Sequence, residues 1–195
     1  MTEYEVKLVS VGYADVIARL SNAGAVQKKP MHLLKIVAFL LPVGSEVKGG
    51  WIRVREEGKK ITMGLKIIGG EKISDQKEYS FSANSTEDAI TFLETLGARQ
   101  KSYQEKRREI WTLDACEVVI DECPFLDAYI EIEGPDEAAV KHVVEKLGYD
   151  YANARVCSVS TLYREKYQVD EDTINNKTPK LIFEMDNPFL SYGKR

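Results

Sequence analysis

The sequence is poor in the residues that build soft-metal and redox centres. Histidine occurs only at 32 and 142, and cysteine only at 116, 123 and 157, with no CxxC pair. This excludes a zinc site built on histidines or paired thiols. An odd number of cysteines without close pairs fits a reducing cytoplasm better than a disulfide framework. Long apolar runs are also missing. The strongest, 33–42, is interrupted by Lys35 and is far shorter than the roughly 20 residues a spanning helix needs. The first residues, MTEYEVKL, are acidic and alternating, which is not the pattern of a secretory signal. A cytoplasmic protein that engages no membrane is expected. There is no surplus of positive charge: 27 Lys and Arg stand against 31 Asp and Glu, a formal net charge of -4. That excludes an extended nucleic-acid surface. It does not exclude a small polyanion, because net charge does not say where the charges sit.

The 195 residues, 44% hydrophobic and 30% charged, suit one soluble domain with a real core. Segment 4–8 alternates strictly, with Tyr4, Val6 and Leu8 on one face and Glu5 and Lys7 on the other, so it reads as a strand. A helix is expected over 14–23, where Val16, Ile17 and Leu20 form a stripe that stops at Gly24. Strands follow at 33–41, 51–56, 61–68 and 77–82. A second helix opens on the Ser85 and Asp88 capping box and stops at Gly97. Strands at 103–112, 115–121 and 127–134 come next, then a third helix from Pro135 to Gly148 and a short fourth over 158–167. Residues 168–195 read as a polar, loosely attached tail with room for one edge strand, behind a main domain of 1–167. Segments 15–28 and 88–101 resemble each other, which suggests two halves of one strand, one helix and three strands.

The unusual feature is which faces carry charge. Arg53 and Arg55 share a face opposite Ile52 and Val54. Lys66 opposes Leu65 and Ile67, and Lys106 and Arg108 share a face. Glu117 and Asp121 oppose Val118 and Ile120, and Glu131 and Glu133 oppose Ile130 and Ile132. Two arrangements satisfy this pattern. One is an open sheet with a solvated outer face, whose cross-strand ion pairs are worth a few tenths of a kcal/mol each, on the order of 0.2–1. The other is an α+β fold whose eight antiparallel strands close into a barrel with a charged lumen, flanked by amphipathic helices. Such a lumen needs water or a ligand to justify its cost.

Glu3 and Glu5 sit at i and i+2 on one strand, roughly 7 Å apart and pointing the same way. Glu131 and Glu133 repeat the device, and Glu117 and Asp121 add further carboxylates. An all-oxygen set of this kind suits a hard cation such as Mg²⁺ or Mn²⁺. Lys7, Arg53, Arg55, Lys66, Lys106 and Arg108 supply the opposite charge, and such groups grip phosphate oxygens.

The ExExK of Glu3, Glu5 and Lys7, followed in order by Arg53 and Arg55, Lys66, Lys106 and Arg108, Glu117 to Asp121, and Glu131 and Glu133, resembles the CYTH family of triphosphate tunnel metalloenzymes over about residues 1–165. That family includes class IV adenylyl cyclases, thiamine triphosphatases and inorganic triphosphatases. The resemblance implies a triphosphate-binding tunnel. Glu3, Glu5, Glu117, Asp121, Glu131 and Glu133 carry over as metal ligands, with Glu5, Asp121 and Glu133 the candidate catalytic carboxylates. The six bases carry over as triphosphate binders. The resemblance offers Glu78 as a residue that orients one of them, with a surface glutamate as the alternative, and Ser160 as the counterpart of the family's C-terminal serine, with an ordinary helix residue as the alternative. The apolar segment 31–39 departs from the cyclase pattern and argues against nucleobase recognition. The expected activity is metal-dependent hydrolysis of tripolyphosphate, thiamine triphosphate or ATP. The alternatives are an adenylyl cyclase and a non-catalytic polyphosphate-binding module. A homodimer is left open.

Overall fold

The computed structural model describes residues 2–192. Its centre is an antiparallel sheet of eight strands with helices on its apolar side. In chain order the strands are β1 (Tyr4–Leu8), β2 (Val26–Leu40), β3 (Gly50–Glu57), β4 (Lys60–Ile68), β5 (Gln76–Ala83), β6 (Arg99–Leu113), β7 (Cys116–Glu122) and β8 (Tyr129–Gly134). Helices α1 (Tyr13–Asn22), α2 (Thr86–Thr95) and α3 (Glu137–Lys146) follow β1, β5 and β8. The halves β1-α1-β2-β3-β4 and β5-α2-β6-β7-β8 therefore have the same element order. In space the strands lie in the order β1-β8-β7-β6-β2-β3-β4-β5. Exchanging the two halves reverses that order onto itself, so the expected internal repeat is visible in the topology. The long strands β2 and β6 form its centre.

The alternation seen in the sequence sets the layers. Val6, Leu8, Val118, Ile120, Ile130 and Ile132 point outward and are buried beneath Val16 and Leu20 of α1 and Val140, Val143, Val144 and Leu147 of α3. Val37, Phe39 and Val54 are covered by Ala89 and Leu93 of α2. The Ser85 hydroxyl caps α2 by accepting from the Asp88 N–H at 3.0 Å. α3 begins just after the expected Pro135, with the Asp136 carboxylate accepting from the Ala139 N–H. The ionic residues are left on the concave face.

The expected full closure is not what the structure shows. No ladder joins the edge strands β1 and β5, so the sheet is an open half-barrel. Among the described residues the edges meet through the Thr2–Lys77 bridge and the Glu3 N–H donating to the Gln76 carbonyl at 3.0 Å. The buried Gln76 amide donates to the Glu5 carbonyl at 2.7 Å, in place of the next rung.

β2 is also longer than its pattern suggested. Register shifts against β6 around Gln27, Lys29 and His32 absorb Pro30, which has no N–H to give a ladder.

The C-terminal segment is not loosely attached. After α4 (Val159–Tyr167) it forms α5 (Glu171–Asn176) and β9 (Lys180–Leu181), and β9 pairs in parallel with Tyr103 and Gln104 of β6. Val169, Ile174, Leu181 and Phe189 are buried against Tyr129, Leu162 and Tyr163. Leu181→Ala is expected to cost about 2 kcal/mol in chemical denaturation. An unchanged midpoint would mean the segment does not belong to the cooperative unit. Among the described residues no helix is long and apolar enough to cross a membrane.

Candidate active site

The concave face lines a cavity of about 1150 Å³. Strand register decides which charges meet there. On β1 and β8, Lys7 lies opposite Glu131, and Glu5 lies opposite Glu133. The first pair attracts. The second sets two carboxylates face to face, an arrangement that destabilises a sheet. On β7, Glu117 also lies opposite Glu133. One carboxylate oxygen from each of Glu3, Glu5 and Glu133 falls within 4.8 Å of the others. Glu117, Asp121 and Glu131 are not part of that group.

Lysines bind this acidic cluster together. The Lys66 ammonium donates to Glu3 at 3.0 Å and to Glu5 at 2.9 Å. Lys7 lies 2.5 Å from Glu5 and 3.1 Å from Glu131, so it bridges β1 and β8. The electrostatics follow from these contacts. Burial pushes the Glu3 carboxyl up to about 7, with Lys66 pulling it down and Glu5 and Glu78 pushing it up. Burial and Glu131 also push Glu5 up, but Lys7 and Lys66 outweigh them and hold it at about 2. Burial and Glu5 raise Glu133. Among the described residues Glu133 and Glu117 have no hydrogen bond or ion pair of their own.

A second ionic group adjoins the first through Glu131, which pairs with both Lys7 and Arg108. Arg108 lies directly opposite Asp121 on β7. Its guanidinium donates to both Asp121 oxygens, at 2.7 and 2.6 Å, and to Glu131 at 2.6 Å. Lys106 donates to Asp121 at 2.7 Å. Asp121 is fully buried and does not line the cavity, whereas Glu131, Lys106 and Arg108 do. The sequence placed Asp121 with the metal ligands; the structure places it behind the lining, both oxygens taken up by bases. The Arg53 guanidinium donates to both Glu78 oxygens, at 2.7 and 2.9 Å.

Arg55 stands apart. It lines the cavity, its Nε is buried without a partner, and among the described residues it has no ion pair. Burial lowers its pKa and the neighbouring Arg53 and Arg108 lower it further, which Glu78 and Glu57 offset only in part. It is a cation placed where only an anion would relieve it.

Some of the lining was not legible in the sequence. Ile36, Ala38 and Leu40 of β2, with Trp51 of β3, give the cavity an apolar wall. The apolar run of β2 thus has two destinations, Val37 and Phe39 under α2 and Ile36, Ala38 and Leu40 inside the cavity. Arg155 arrives from the loop after α3. Its backbone exchanges hydrogen bonds with Lys7, at 2.8 and 2.9 Å, and its guanidinium pairs with Glu165. No periodicity marks such a loop residue. Ser160 lines the cavity, its hydroxyl 2.6 Å from that of Ser158.

The family model of the CYTH domain matches residues 1–164. No curated protein matches the chain in sequence. Several solved structures share its fold. The PH1012 protein of Pyrococcus horikoshii OT3 is 21% identical, with a TM-score of 0.69 over 82% of this chain and 98% of that one. A Vibrio parahaemolyticus protein named for adenylate cyclase activity is 13% identical, with a TM-score of 0.70 over 84% and 98%. HpAC1 of Hippeastrum, named for adenylyl cyclase activity and described as having a dominant triphosphatase activity, is 13% identical, with a TM-score of 0.57 over 87% and 99%. At these identities the likeness is one of fold.

Proposed function

The chain belongs to the CYTH family, and from that premise we propose that it is a divalent-metal-dependent enzyme that hydrolyses the terminal phosphate of a triphosphate. The observation that carries the reading is that the cavity holds uncommitted charge of both signs. Among the described residues Arg55, Glu133 and Glu117 line the cavity without an ion pair, although Glu78 and Glu57 lie near Arg55 and Lys66 near Glu133. A solvated sheet face would pair these groups with one another. A cavity that receives a metal and a polyphosphate leaves them for the ligand.

The residues fit a hard cation. The donors of Glu3, Glu5 and Glu133 are all carboxylate oxygens, the buried Glu3 Oε2 meets only the Lys66 ammonium at 3.0 Å among the described residues, and the crowding that raises Glu3 and Glu133 is what a cation relieves. When bound, Mg²⁺ or Mn²⁺ would neutralise phosphate oxygens and lower the pKa of a coordinated water. The chain's own bases do the remaining work. Arg55 and Arg53 hold phosphate oxygens on the β3 side, and Lys106 and Arg108 hold them on the β6 side. Lys66 and Lys7 stay with the carboxylates and fix their orientation while adding positive potential. Glu78 aligns Arg53. Asp121 is assigned to aligning Lys106 and Arg108, since its oxygens are already taken. Catalysis on this account is alignment of the chain of phosphates for in-line attack by water, plus stabilisation of charge on the leaving diphosphate group.

The apolar wall of Ile36, Ala38, Leu40 and Trp51 supports a second reading, in which the cavity takes ATP and the ribose 3′-hydroxyl attacks the α-phosphorus. The test is a panel of tripolyphosphate, thiamine triphosphate and ATP, each with Mg²⁺ or Mn²⁺ and again with excess EDTA. Metal-dependent release of orthophosphate is expected. Cyclic AMP with diphosphate would give the cyclase, and no turnover of any of the three would leave a binding module.

A further inference from the structure

The cavity has a wall that the family match does not include. Glu171, Ile174, Asn175 and Leu181 line it, and all lie beyond residue 164. They are held there firmly: β9 pairs with β6, and Ile174 and Leu181 are buried in the cluster around Tyr163. Opposite them on β6 is Lys101. The register of β2 against β6 slips between Ala38 and Phe39, so Ala38 pairs with Ser102 and Phe39 with Gln100. The slip leaves Lys101 as the extra residue and turns its side chain into the cavity.

Lys101 is an unusual lysine. Among the described residues no carboxylate pairs with it, and its one hydrogen bond goes to the Asn175 Oδ1 at 3.4 Å. Burial lowers its pKa and no neighbour offsets the effect. The Asn175 amide N–H₂ has no partner among the described residues. The pair also lies near the apolar wall. Ala38 pairs with Arg53 on one side and Ser102 on the other, so Trp51 and Lys101 flank the same end of β2. They are separated by two strand spacings, roughly 10 Å.

We propose that Lys101 and Asn175 form, with Trp51, a specificity subsite for the organic end of a triphosphate, and that this end is an uncharged ring bearing hydrogen-bond acceptors. The proposal rests on the triphosphate reading of the cavity and goes beyond it by naming what lies past the phosphates. Trp51 offers a face for a planar ring, the kind of contact worth about 1–3 kcal/mol per base. The Lys101 ammonium and the free Asn175 N–H₂ are donors and select acceptors at the ring edge. A cationic ring meets a like charge in Lys101 and is disfavoured. Bare tripolyphosphate leaves both donors without a ligand, so it gains nothing from this wall.

The test compares the parent with Lys101→Met and Asn175→Ala. ATP stands for the uncharged ring, thiamine triphosphate for the cationic one, and tripolyphosphate for no ring. In the parent, kcat/KM is expected to be highest for ATP. Each variant is expected to lower the ATP-to-tripolyphosphate ratio of kcat/KM about tenfold, through KM rather than kcat. Calorimetric binding of ATP and tripolyphosphate with Ca²⁺ reads the same discrimination without turnover. Equal loss for both ligands, or a parent that prefers tripolyphosphate or thiamine triphosphate, would overturn the subsite and leave the hydrolase reading standing. Absence of turnover together with selectively weakened ATP binding in the variants would uphold the subsite and overturn hydrolysis alone.

Discussion

Glu133→Gln is expected to lower metal-dependent triphosphate turnover at least 100-fold while leaving the melting temperature unchanged or raising it. The two effects have one cause. Glu133 lies opposite Glu5 on one side and Glu117 on the other, and it has no hydrogen bond or ion pair among the described residues. In the free protein desolvation and repulsion from Glu5 and Glu117 outweigh the attraction of Lys66 and together raise its pKa. Neutralising it removes a repulsive term from the folded state, so stability does not fall. The same substitution takes one of three convergent oxygens from the metal cluster. Losing one electrostatic contact to the reacting group costs about 3 kcal/mol, or a factor of about 100 in rate. Steady-state kinetics and a thermal melt on the same preparation decide the matter. Full activity would remove Glu133 from the site. A melting temperature lower by several degrees would mean that the carboxylate is structural.

Asp121→Ala is expected to show the opposite profile, with a stability loss of about 3–5 kcal/mol. Asp121 is fully buried, and three donor contacts from Arg108 and Lys106 converge on it. Removing it leaves two cations facing a cavity with Glu131 as their remaining counter-charge. For a chain of this size a loss of 3 kcal/mol shifts the melting temperature by roughly 6–12 °C. Any activity that remains is expected to carry a raised KM, because Lys106 and Arg108 lose their alignment. Asn at this position keeps an acceptor and is expected to recover part of the stability. A stable Asp121→Ala variant that had lost only metal affinity would restore the residue to the metal ligands.

The contrast between these two carboxylates shows what the sequence could and could not convey. Period-two alternation put Glu133, Asp121, Arg53 and Arg108 on the ionic face, and the structure agrees, because alternation follows directly from the pleat. Alternation does not say which residues lie opposite one another. Asp121 has Arg108 across the ladder and Glu133 has Glu5, and that register depends on turn lengths and bulges spread along the chain. The run in β2 was read as evidence against nucleobase recognition, because hydrophobicity alone cannot tell a strand buried under α2 from one that also lines a cavity. The Lys101 bulge, the Arg155 loop and the packing of Leu181 all depend on contacts between residues distant in sequence. The repeat of strand, helix and three strands was readable, because each half carries its own capped helix. The seam between β1 and β5 was not, since the Gln76 side chain replaces a ladder there.

The central claim is that the uncommitted charges of the concave face serve terminal phosphate hydrolysis. Phosphorus NMR tests it most directly, following Mg²⁺-ATP and Mg²⁺-tripolyphosphate with the parent protein before and after EDTA. The account predicts orthophosphate growing with ADP or diphosphate, stopping when the metal is removed. Cyclic AMP and diphosphate from ATP, or unchanged spectra with both substrates in Mg²⁺ and Mn²⁺, would contradict it.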